Sequence, residues 1–111
     1  MRFALVVFVL ACRRAPEPPP CATVALQFYT LASEQLEAAT VEPATRRAVV
    51  EQLPAMRDTL ALACTNGAWS VVARTCMVAA QDHAAFQACE HHLTDDQRAA
   101  LDRAARGEPG R

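Results

Sequence analysis

Lysine is absent from this chain: all eleven basic residues are arginine, set against twelve acids, for a formal net charge of -1. A phosphate-binding surface needs a clustered basic excess, and none occurs, so nucleic acid is excluded as a partner. No stretch alternates apolar and polar residues over the length of a strand, which argues against a sheet. The apolar run Phe3 to Ala11 falls far short of the roughly 20 residues a membrane span requires. Neither Cys-x-x-Cys nor Cys-x-x-Cys-His is present, which removes thioredoxin-like redox chemistry and c-type haem attachment.

Cysteine itself is plentiful, with five in 111 residues. A domain this short buries only about 60 to 68% of its unfolded surface, so additional staples are expected. Cysteine-dense small domains are mostly secreted ones held by disulfides. The N-terminus agrees with export: Arg2 precedes the apolar run, whose length suits a signal-peptide core. The run ends in Val9-Leu10-Ala11-Cys12, which resembles the bacterial lipobox. That resemblance implies lipidation of Cys12, which then becomes the new N-terminus. Two rivals stay open, a buried N-terminal helix and an ordinary signal peptide cleaved nearby with Cys12 unlipidated. Residues 13 to 20, RRAPEPPP, favour extended polyproline geometry and forbid a helix, so they read as a short, stiff stalk. The chain then divides into a signal peptide (1–11), lipidated Cys12 with a proline-rich linker (12–20), a helical domain (21–106) and a tail (107–111).

Twenty-four alanines favour helix, a bias that also fits a GC-rich genome. Ala22 to Thr40 contains no Gly or Pro, and Val24, Phe28, Leu31 and Ala32, with Leu36 nearby, recur at helical spacing. Val49, Leu53, Met56, Leu60 and Ala63 predict a second helix from Pro43 to about Ala63, kinked or split near Leu53 by Pro54. Asn66 or Gly67 is expected to stop it in the left-handed conformation. A third helix, from about Ala68 to Ala80, should turn Trp69, Val72, Cys76 and Ala79 or Ala80 inward and Arg74 outward. A fourth, from about His83 to His92, places Phe86, Cys89 and Leu93 on one face. Thr94-Asp95-Asp96-Gln97 is a capping box opening a last helix to Arg106, with Leu101 and Ala104 inward and Gly107 at its end. The fold class is all-α, a small disulfide-stapled bundle of four to five short helices.

With Cys12 taken by lipid, Cys21, Cys64, Cys76 and Cys89 remain, and four cysteines permit three pairings. Helices joined by a short turn pack antiparallel, bringing the start of the first beside the end of the second. That favours Cys21 with Cys64 and Cys76 with Cys89, and leaves the other two pairings open. The pattern Cys64-x4-Trp69-Ser70-x5-Cys76-x12-Cys89-x3-Leu93-Thr94-x2-Gln97-x3-Leu101 resembles a short helical module of small exported proteins from GC-rich Gram-negative bacteria. It covers about a third of the chain. The resemblance implies export, helices and bridges, and carries over no activity.

CEHHLTDDQ, residues 89 to 97, holds the types that build metal and thiol sites. His83, Cys89, His91 and His92 could be considered for zinc, but on a helix His91 and His92 point about 100° apart and Cys89 faces the core. No metal or cofactor is therefore expected, beyond weak surface binding of copper or zinc at His91 or His92. A catalytic cysteine needs a free thiolate beside a histidine, and bridged cysteines offer none. Asp95 and Asp96 suit the positive end of a helix dipole. Trp69 reads as a core residue, and Arg46 and Arg47 as two cations that could meet acidic lipid. The expected function is a non-enzymatic interaction or accessory module on a bacterial envelope lipoprotein facing the periplasm. Its partners would be the membrane, through the lipid, and an envelope protein. The alternative is a periplasmic stress chaperone.

Overall fold

The computed structural model describes residues 17–108. Its helices are α1 (Cys21–Ala38), α2 (Pro43–Asn66), α3 (Val71–Ala79), α4 (His83–Ala88) and α5 (Asp95–Ala105), with a 3₁₀ turn at Cys89–His92. No strand occurs among the described residues, so the bundle is all-α as expected. The pair α1 and α2 forms the centre; α5 packs along α2, while α3 and α4 pack on α1.

The turn between α1 and α2 is tied by a cation. Arg46, in the first turn of α2, donates to the carbonyls of Leu36 at 2.8 Å and Ala39 at 2.9 Å. The Leu36 carbonyl also accepts from the Ala39 amide at 3.3 Å, and a guanidinium suits the negative end of the α1 dipole. Arg46 is thus engaged in holding the fold, while Arg47 is exposed. Pro43 opens α2, which continues through Pro54 to Asn66. The expected split at Leu53 does not occur. Pro54 and Val50, whose carbonyl loses its helical donor, are both exposed, so water can take that carbonyl while the helix proceeds.

The stop after α2 differs from expectation. Asn66 stays helical and Gly67 is right-handed (φ -79°), whereas Ala68 takes the left-handed conformation (φ 47°). Glycine is needed at 67 for space: a Cβ there would stand 2.8 Å from the Ala63 carbonyl and 3.0 Å from Trp69 Nε1. The left-handed alanine costs about 1 kcal/mol. Ser70 then caps α3 by accepting from the Ala73 amide at 3.1 Å.

Because α3 begins at Val71, its inward positions are Ala73, Met77 and Ala80, following Trp69. Val72, expected inward, is 60% exposed, and Arg74, expected outward, is half-buried. Phe86, Cys89 and Leu93 are all buried as expected, although the helix tightens after Ala88 into the 3₁₀ turn. Phe28 and Phe86 meet at 5.8 Å between ring centroids, at a tilt of 56°. Leu60, Leu101 and Ala104 close the α2–α5 side. Thr94 and Gln97 form the reciprocal capping box, and Gly107, left-handed at φ 73°, ends α5. There the amides of Gly107 and Glu108 bond back to Ala104 and Arg103.

The bridges are Cys21–Cys64 and Cys76–Cys89, with Cα atoms 5.7 and 5.8 Å apart. Each joins neighbouring helical elements, the pairing that the helix-pair argument favours.

Candidate functional site

The four cysteines of the body are bridged, so none is a free thiolate. Cys12 lies outside the described residues. His91 and His92, expected to diverge, come together instead: their ring centroids are 3.8 Å apart. The convergence lies in the side chains, not the backbone period: His91 Nδ1–H donates to the Ala88 carbonyl, and its ring stands beside that of His92. Both residues are exposed. Among the described residues no three of His, Cys, Asp and Glu are placed to hold a metal ion. Asp95 and Asp96 occupy the first turn of α5, where Asp95 pairs with Arg98. His83 rests against Phe28, with ring centroids 6.0 Å apart.

Glu90 is the acid whose environment changes its titration. Partial burial pushes its carboxyl above the ordinary value of 4.5, the Asp102 carboxylate pushes the same way, and the Arg98 guanidinium opposes both. A carboxyl raised in the folded state holds its proton more tightly there than when unfolded. Its contribution therefore favours folding on the acid side and is lost as pH rises from about 4.5 through the folded value. Glu90→Gln is expected to raise the melting temperature at neutral pH and to flatten its dependence on pH above about 4.5, where the raised carboxyl releases its proton. Parallel thermal melts of the two proteins check this, and identical pH profiles would refute it.

Two surfaces lie away from these groups. The first is an open groove of about 470 Å³ between α2 and α5. Small residues, Ala63, Gly67, Ala100 and Ala104, let a visitor approach the backbone closely, and Leu62 stands at the edge, 60% exposed. Polar groups surround it: Asn66, Asp96, Gln97, Arg103 and Glu108. Gln97 is fixed by donating to the Gly67 carbonyl at 2.8 Å, and Thr59 by donating to the Ala104 carbonyl at 3.1 Å. The groove therefore comes from two helices locked across their ends and middle. Sequence reasoning missed it, because Leu62 and Ala100 lie off the inward stripes; the unexplained exposed leucine in α2 was its one signal.

The second surface is the outer side of α3, beside the end of the proline-rich segment. Arg74 links the two, donating from Nη1 to the Pro19 carbonyl at 2.6 Å and from Nε to the Trp69 carbonyl at 3.2 Å. Glu17, Pro18 and Pro19 border a shallow depression with Val71, Thr75, Val78 and Ala79. No protein-family model, curated protein or solved structure matches this chain.

Proposed function

We propose that this chain is an envelope-anchored bacterial lipoprotein whose helical domain is a non-enzymatic interaction module, receiving an envelope protein in the α2–α5 groove. The observation that carries this reading is the groove: a floor of small side chains for close approach, an exposed Leu62 to bury, and a polar rim to select orientation. The bridged cysteines fit the oxidising compartment that an exported protein enters. Lipid at Cys12 would hold the module at a surface, where high local concentration favours association.

Two experiments test it. Cys12→Ser should move the protein from the membrane fraction to the soluble periplasmic fraction, and retention in membranes would refute the anchor. Leu62→Asp should abolish recovery of the partner in a pull-down in mild detergent while leaving the helical spectrum unchanged. Equal recovery by both proteins would refute the groove.

A second reading, a stress chaperone of the periplasm, draws on the half-exposed Leu26, Val50, Leu62, Val71 and Val72. It differs in predicting that binding of a hydrophobic dye rises on acidification and that a client's aggregation is suppressed. A flat dye response from neutral to acid pH would exclude it.

A further inference from the structure

The outer side of α3 is apolar: Val71 and Val72 are exposed, Val78 is half-buried against the core, and Glu17, Pro18 and Pro19 border the face. At 100° per residue, Val71, Val72, Thr75, Val78 and Ala79 fall within an arc of about 120°, on the opposite side of the helix from Ala73 and Met77. Val71 is 50% and Val72 60% exposed. The helix carries a single charge, Arg74, whose guanidinium is engaged by the Pro19 and Trp69 carbonyls. Glu17 is the acid at the border of the depression.

The position of this face relative to the chain's N-terminal end decides what can cover it. Pro19 is held against α3 by Arg74, and Cys12 stands only seven residue steps before Pro19. At about 3.5 Å per residue, even a fully extended segment spans no more than about 25 Å. A face on the far side of the bundle lies further from that exit by about one helix diameter, roughly 10 Å, for each helix crossed. Arg13 and Arg14, next to the anchor position, carry charge that anionic headgroups attract.

We infer that the outer face of α3, with Pro18 and Pro19 at its edge, rests on the lipid surface to which the chain is tethered. The domain is then held in one orientation, with Val71, Val72 and Val78 meeting the headgroup and acyl boundary. This rests on lipidation of Cys12, the anchor of the function proposed above.

The test uses the full chain, exported and processed by its host, in nanodiscs of phosphatidylethanolamine and phosphatidylglycerol that include a lipid with a nitroxide headgroup. Valine and leucine methyl signals are compared before and after reduction of the nitroxide. Val71, Val72 and Val78 are expected to lose most of their intensity while Val50 and Leu62 keep theirs. The double variant Val71→Asp, Val72→Asp changes two exposed residues, and it should restore the Val78 signal although the lipid still holds the protein on the disc. Uniform broadening, or none at the three valines of disc-bound protein, overturns the orientation and leaves the anchor standing. Shifts at those valines that depend on protein concentration, without broadening, assign the face to a second copy and also overturn it. Absence of lipid on Cys12 by mass spectrometry overturns both readings.

Discussion

A chain carrying Cys21→Ala and Cys64→Ala is expected to melt at least about 15 °C below the parent, and to be largely unfolded at 37 °C. The bridge spans 43 residues of chain, and the loop-closure estimate for a cross-link of that span is about 4 kcal/mol. A domain of this size has a total stability of roughly 5 to 13 kcal/mol. In so small a domain each kcal/mol lost lowers the melting temperature by about 4 °C or more. The loss is not confined to the unfolded state, because Cys64 is fully buried in the main core beside Leu60 and Trp69. Other interactions offer little compensation: the three ion pairs of the described residues are exposed, and such pairs contribute about 0 to 1 kcal/mol each. Removing the Cys76–Cys89 bridge, which spans 13 residues, should cost less, about 3 kcal/mol. Thermal unfolding of both double variants by circular dichroism checks the order. A Cys21–Cys64 variant that melts within a few degrees of the parent would contradict the entropic argument.

Trp69→Ala is expected to cost about 3 to 5 kcal/mol, the range for truncating a large buried aromatic. Trp69 is 3% exposed and belongs to the main core, at the junction where α2 ends and α3 begins. Its amide donates to the Cys64 carbonyl at 3.2 Å and its own carbonyl accepts from Arg74, so both its side chain and its backbone hold the junction. Gly67 is tight against the indole, which leaves the emptied space bounded by backbone that cannot collapse easily. The indole Nε1 has no protein acceptor within hydrogen-bond reach. Trp69→Phe, which keeps much of the volume and removes that donor, should therefore cost less than about 1.5 kcal/mol. Chemical denaturation of the two variants separates these expectations, and equal losses would show that the N–H contributes to stability.

Where a local rule acts on neighbouring residues, the sequence was legible. The capping box at Thr94 and Gln97, the apolar stripes of α1 and α2, and the preference for one cysteine pairing all follow from spacing along a helix or between two consecutive helices. The phase of α3 was not legible from period alone, because Val71, Val72 and Ala73 are all apolar and fit more than one face. Ser70 decides it by capping at that point, and the helix turns Val72 outward as a result. The left-handed Ala68 was hidden by the glycine next to it, which is needed for close packing instead of for its backbone freedom. Arg46 and Arg74 act over 10 and 55 residues through carbonyls, an interaction that no hydropathy pattern encodes. The groove depends on how α5 settles on α2, so its outline exists only after the core has packed.

The bridge at Cys21 has a mechanical consequence. It lies one residue beyond Pro20, at the very start of α1, and connects directly to Cys64 near the end of α2. Tension on the N-terminal segment therefore passes through a covalent bond into the middle of the chain. A partner pulling from the α2–α5 groove would close the same circuit at the other end. All of α1, and the chain from it to Cys64, is bypassed by this load path, so a pull cannot peel α1 away turn by turn from its first residue.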